Sequence, residues 1–306
     1  MNILLLGANG QLGRTFLEHG GLAASGNLVA ASRDGAHGAT VDLANPASLA
    51  ATLDRIQPDL IVNAAAYTAV DRAEQEQALA NLVNRDAVGM LGHWAAAHDA
   101  LMLHYSTDYV FDGRQSQPYA VDAPTAPLGA YGRSKLAGEQ ALQDSGAKHL
   151  TFRTAWVYAA HGSNFLRTIL RLGAEREELR VVADQHGAPT DTSLIVEASL
   201  AALARWQHAD PTQRASLNGT HHLVASGATS WHGFASAIFA QAVARGLLAR
   251  APRVLPITTA DYPTPAQRPA WSLLDNREFQ QTFDFPLPDW RDGLGQVITH
   301  LVPPST

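Results

Sequence analysis

The chain has 306 residues, of which 46% are hydrophobic and 16% charged, with a formal net charge of −6. That balance excludes a disordered chain and the basic surface of a nucleic-acid-binding protein. Cysteine is absent, which excludes disulfides and thiolate metal sites.

The chain opens on Asn2-Ile3-Leu4-Leu5-Leu6, an apolar run of buried-strand length. Gly7-Ala8-Asn9-Gly10-Gln11-Leu12-Gly13 follows at once, and residues 14–18 read as helix. Strand, glycine turn and helix form the context of a dinucleotide site. Gly7, Gly10 and Gly13 allow a tight turn and close approach of backbone to a pyrophosphate at a helix amino terminus. The spacing is G-x-x-G-x-x-G, and such a triplet alone is a weak signal. The next strand, residues 28–31, ends at Ser32-Arg33, where a carboxylate would grip the ribose 2′-hydroxyl of NAD. Serine and arginine suit a 2′-phosphate instead. NADPH is therefore the expected cofactor, with NADH left open.

Residues 40–43 read as a short strand, and Asn45-Pro46 starts a helix through about residue 56. Residues 59–64 are an apolar strand. Residues 73–100 read as helix, broken or bent around Gly89 and Gly92. Residues 101–106 return to strand, 131–144 to helix and 150–153 to strand. This alternation predicts an α/β fold with a doubly wound, Rossmann-like parallel sheet. Ligands bind beyond the carboxyl ends of such strands, where Gly7, Ala64, Ser106-Thr107, Tyr131 and Trp156 fall. In the second half, helices are expected at 164–177, 194–207 and 231–247, a strand at His221 to Val224, and a proline-rich loop at 262–269. Residues 1–155 are expected to form mainly the NADP-binding domain. Residues 156–306 would form mainly a smaller α+β substrate lobe, with return crossings between them.

Only two lysines occur, and Lys135 stands four residues after Tyr131 in Tyr131-Gly132-Arg133-Ser134-Lys135. On a helix, such residues share a face. An ammonium near a phenol favours the phenolate and lowers its pKa, so the tyrosine can exchange a proton near neutral pH. The same pair also fits an ordinary surface helix. Thirteen histidines invite a metal, but no His-Glu-x-x-His or comparable cluster appears, and His221-His222 would point to opposite faces of a strand. No resident metal is expected. The start lacks a signal peptide's charged region and cleavage site. No apolar run nears the roughly 20 residues of a membrane span, so a cytoplasmic protein without membrane contact is expected.

Together the motifs resemble the extended short-chain dehydrogenase/reductase family, nearly end to end. The likeness is carried by Met1-Asn2-Ile3-Leu4-Leu5, by Asn63-Ala64-Ala65-Ala66-Tyr67-Thr68-Ala69-Val70-Asp71, and by Tyr105-Ser106-Thr107-Asp108-Tyr109-Val110-Phe111. It continues in the Tyr131 to Glu139 block, in Arg153-Thr154-Ala155-Trp156-Val157-Tyr158 and in Asp184-Gln185-His186-Gly187-Ala188-Pro189-Thr190. The loop from Tyr262 through Pro269 also fits.

The resemblance implies reduction of a 4-keto sugar carried on a nucleotide. Tyr131 would donate a proton to the ketone oxygen, Thr107 would hold that oxygen, and Lys135 would bind the nicotinamide ribose and tune Tyr131. Asp108 and Trp156 look like sugar contacts. Gly10-Gln11-Leu12, Asp42-Leu43, Ala64-Ala65-Ala66 and Tyr105 would hold the cofactor. Plainer roles fit the residues too: Asp42 as a turn residue, Trp156 as a core aromatic, Asp108 as a helix cap. The partners implied are a nucleotide-sugar substrate and, as a homodimer, a second copy of the chain. Some family members hold Mg²⁺ between subunits with acidic side chains where Thr15 and Ser193 stand here, which speaks against a metal-bridged dimer. Related 4,6-dehydratases carry Asp-Glu after the threonine, whereas Thr107-Asp108 is followed by Tyr109. A non-catalytic regulatory subunit is the rival from another class, and retention of Thr107, Tyr131 and Lys135 favours the enzyme.

Overall fold

The structure, a computed structural model, describes residues 1–302. Seven parallel strands form its central sheet: β1 Asn2–Leu6, β2 Asn27–Ser32, β3 Gly38–Thr40, β4 Leu60–Asn63, β5 Leu101–Thr107, β6 Lys148–Thr154 and β7 Gly219–His222. Their order is β7-β6-β5-β4-β1-β2-β3. The order reverses between β1 and β4, and a crevice opens at such a point beyond the strand ends. Residues 40–43 prove not to be a strand: β3 ends at Thr40, and Val41 and Leu43 pack into the core.

Alternate residues of each central strand enter opposite cores. Ile3, Leu5, Val62 and Leu103 join the cluster that includes Phe16, Phe152 and Ile195. Leu4, Leu6, Ile61 and Met102 join the other, with Leu49, Leu91 and Leu142. Both faces are covered, which is why these strands read as unbroken apolar runs. Helix Pro46–Ile56 begins as its sequence predicts, with Pro46 in the first turn and the Asn45 side chain accepting from Ser48 N–H.

Gly89 and Gly92 do not break their helix. Both lie inside Ala87–Ala97, and their missing side chains admit Ala141, Leu142 and Ser145 of helix Ala130–Asp144. The irregularity sits one turn earlier, in a π-helical segment at Leu82–Asp86. The second half returns to the first through β7, which pairs with β6, and through helix Thr192–His208, which packs on helix Gln11–His19. A two-stranded parallel pair, Glu178–Val182 with Arg253–Ile257, lies outside the main sheet. No helix among the described residues is long and apolar enough to cross a membrane.

Candidate active site

The turn after β1 is built by two glycines with different tasks. Gly7 has φ +83, and a Cβ there would lie 2.7 Å from Ala65 N and 2.8 Å from Ala64 C. A Cβ on Gly13 would fall on the Gly7 carbonyl. Gly7 thus lets the turn press against the Ala64-Ala65 backbone, and Gly13 lets the helix close on the turn. Gly10 is the N-cap of helix Gln11–His19, and no side chain caps that end. The backbone N–H groups of the first turn, at Gln11, Leu12 and Gly13, are left for an anion. The Gln11 side chain accepts from Asn164 Nδ2 at 2.7 Å, which ties the turn to the second half of the chain. This cradle fits a dinucleotide pyrophosphate.

At the end of β2, Ser32 is buried and Arg33 exposed. No hydrogen bond or ion pair engages the Arg33 side chain among the described residues. A carboxylate that the sequence reading passed over stands next to it. Asp34 accepts from Ser32 Oγ at 2.7 Å, from Ala36 N–H and from Asn9 Nδ2. These bonds, Ser32 foremost, lower its pKa to about 2. Asn9 also bonds His37 Nε2 at 2.7 Å. Asp42 Oδ1 accepts from Ala44 N–H, Leu43 is buried, and Ala64, Ala65 and Ala66 after β4 are half-buried, Ala64 and Ala65 lying against Gly7.

Thr107 ends β5, and Asp108 starts the 3₁₀ turn Asp108–Val110. Thr107 Oγ1 accepts from Tyr109 N–H at 3.2 Å and donates to Asp108 Oδ1 at 3.1 Å. Asp108 is buried, and its Oδ2 has no hydrogen-bond partner. Burial holds its carboxyl up at about 6, opposed by the nearby Ser272 and Thr107 hydroxyls. Helix Ala130–Asp144 brings Tyr131 to the same place. Gly132 makes that approach feasible, since a Cβ there would strike the Tyr109 carbonyl. The Tyr131 ring meets Tyr109 edge-on at 5.8 Å. Burial pushes its phenol up to about 12, while the Thr107 hydroxyl pulls it down as a hydrogen-bond partner.

Lys135 is fully buried, and Nζ donates to the Tyr105 carbonyl at 2.6 Å. Burial, opposed by Glu139, brings its pKa down to about 8. Its ammonium is not among the groups that shift the Tyr131 phenol; those are burial, Thr107 and Asp108. The Tyr105 ring turns into the core between Phe16 and Phe152, with its hydroxyl donating to Ser199. What Tyr105 offers the site is therefore its carbonyl. Trp156, at φ +48, stacks on Trp231 with ring centres 3.5 Å apart and planes 4° apart. Trp231 in turn donates to Gln185. Trp231 is a second residue the sequence reading missed, because a lone tryptophan opening a helix carries no motif. Thr15 Oγ1 donates to the Gln11 carbonyl at 2.9 Å and pairs with Thr192 Oγ1 at 2.8 Å inside this chain. Among the described residues, no group of three or more histidines and carboxylates is placed to hold a metal.

A nucleotide cradle at the switch point, beside a tyrosine, a lysine and a threonine at one strand end, defines a Rossmann-like oxidoreductase. A family model described as RmlD substrate binding domain matches residues 1–302. The chain belongs to that family. It is 47% identical over 304 residues to a dTDP-4-dehydrorhamnose reductase of Burkholderia thailandensis, covering 99% of each chain. A solved dTDP-4-dehydrorhamnose reductase of Clostridium acetobutylicum superposes with a TM-score of 0.87 at 32% identity, covering 98% of this chain and 99% of the other. One from Bacillus anthracis, solved in complex with NADP, gives 0.84 at 32%, covering 97% and 98%.

Proposed function

We propose that the chain reduces the ketone of dTDP-4-dehydro-β-L-rhamnose to give dTDP-β-L-rhamnose with NADPH. The observation that carries this reading is the convergence of Thr107, Asp108 and Tyr131 at the end of β5, with Asp108 Oδ2 buried and unpaired. An unpaired buried acceptor is costly unless a ligand completes it, and a sugar hydroxyl is the donor that fits. The likeness to reductases bearing that substrate's name supports the choice of sugar.

The turn Gly7–Gly13, with Gln11 and Leu12, would hold the cofactor pyrophosphate, and Ser32 with Arg33 the 2′-phosphate. Asp42, Leu43, Ala64, Ala65, Ala66 and the Tyr105 carbonyl line the rest of the crevice. When bound, NADPH supplies the hydride. Tyr131, kept protonated by burial, gives its hydroxyl proton to the ketone oxygen as charge builds there. The Thr107 hydroxyl holds that oxygen. Lys135, held at the Tyr105 carbonyl, would bind the nicotinamide ribose. Asp108 and Trp156 orient the sugar.

The test is NADPH oxidation by the purified chain with dTDP-4-dehydro-β-L-rhamnose beside other nucleotide-linked keto-sugars. Preference for the rhamnose precursor is expected. A faster reaction with another keto-sugar would move the chain to a neighbouring reductase. Tight NADPH binding with no turnover on any of them would make it a binding subunit.

A further inference from the structure

The donors and acceptors around Lys135 fix more than its position. Its Nζ lies 3.4 Å from His104 Nε2. On the far side of that ring, His104 Nδ1 lies 3.2 Å from Asn63 Nδ2. Asn63 Oδ1 accepts the Ala65 backbone N–H at 3.3 Å. Asn63, His104 and Lys135 are all fully buried. With its oxygen committed to Ala65, Asn63 presents only N–H donors to His104, so Nδ1 must be the bare nitrogen. A neutral imidazole then carries its proton on Nε2 and points it at Lys135. An ammonium has no acceptor, whereas a neutral amine does. The reversed arrangement turns the Nε2 lone pair to the ammonium, but it sets the Ala65 N–H against an amide NH₂. Amide orientation, ring tautomer and Lys135 charge are therefore linked.

We propose that Asn63 and His104 are positioning residues that act through the histidine tautomer to favour neutral Lys135 and let it pass a proton during turnover. This rests on the reductase reading, in which Tyr131 loses its proton to the product. Lys135 as ammonium gives up the proton that restores the phenol, becoming the amine that His104 Nε2–H supports, and then takes from bulk solvent the one proton that the reduction consumes. Burial keeps His104 neutral first, then the charge of Lys135, then His149 on β6. Glu139, one turn along the same helix, works against neutral Lys135. Its charge is matched by Arg153 of β6 at 2.8 Å, and it accepts the Ser106 hydroxyl from β5. Asp108 and Tyr109, at the helix's amino end, face Tyr131 instead.

Having only two lysines makes the test direct. Cofactor-free protein carrying ¹³Cε-lysine gives two resonances, and Lys148, at the surface beside Asp99, is the internal reference. In the wild type, ring ¹⁵N shifts should show His104 protonated on Nε2 and bare on Nδ1. Asn63→Asp places an acceptor-only group against Nδ1 and forces the other tautomer. His104→Gln, which adds no charge, lets a carbonyl oxygen face Nζ. In either variant the Lys135 titration midpoint should rise by about one pH unit or more, a tenfold change in proton affinity, with Lys148 unmoved. The basic limb of kcat should follow it while the sugar KM stays near its wild-type value. An unmoved Lys135 midpoint in both folded variants, or a wild-type ring protonated on Nδ1, overturns the proposal. Failure of the reductase reading shows separately, as no NADPH oxidation by the wild type.

Discussion

A phenol that must give up a proton is best held protonated until its acceptor arrives. Burial does this for Tyr131, pushing it up to about 12. Tyr131→Phe keeps the ring and its edge contact with Tyr109 but removes the proton. Turnover should fall by about 10²–10⁴ with the melting temperature little changed, and a variant within a few fold of wild type would remove Tyr131 from the chemistry. Cofactor choice is decided at another pair of residues. Arg33 is free to meet a 2′-phosphate, while the Asp34 carboxylate beside it is anionic and repels one. Arg33→Ala should raise the KM for NADPH far more than for NADH, and Asp34→Asn should lower it for NADPH alone. Equal effects on both cofactors would show that neither side chain touches the 2′ position. The Tyr-Lys spacing and the glycine triplet were legible because they are local. Asp34 was not, since only the turn Ser32–Gly35 folds its carboxylate back onto Ser32 and Asn9.

The elements place these residues by close approach more than by propensity. β5 sends His104 toward helix Ala130–Asp144 and Tyr105 toward helices Gln11–His19 and Thr192–His208, a direct result of its two-residue period. Gly132 brings Tyr131 to the end of that strand, and Gly138 admits the Asn84 carbonyl. Gly132→Ala should therefore lift the helix's amino end. A drop in kcat of tenfold or more, with a lower melting temperature, is expected. An active variant of unchanged stability would mean that Tyr109 can yield. The strands of the first half were legible because both their faces are buried, which gives long apolar runs. The run 73–100 misled at Gly89 and Gly92 because a glycine that breaks a helix and one that admits a neighbouring helix look alike in sequence. The π-helical segment at Leu82–Asp86 has no glycine to mark it. β7 joins the first half through pairing with β6, a long-range contact that no local pattern encodes.

For the molecule as a whole, buried histidines set the response to acid. Burial holds His149 at about 4 and His222 at about 3, and keeps His104 well below its ordinary value. Unfolded, each would bind a proton below about pH 6.5, and folded each refuses it. Stability is thus lost as pH falls through that point, by roughly 1.4 kcal/mol per unit per group. Asp108, held up at about 6 by burial, binds its proton earlier than an unfolded aspartate and offsets one of the three. The melting temperature should fall from pH 7 to pH 5, and one that stays level or rises would show that these rings find solvent. The central claim concerns one bond, formed between a hydride and the sugar ketone carbon. With NADPH deuterated at its transferable position and dTDP-4-dehydro-β-L-rhamnose as substrate, mass spectrometry and NMR of the product should find a single deuterium on C4 of dTDP-β-L-rhamnose. NADPH consumed without deuterium at C4, or a sugar recovered unreduced, would contradict the account.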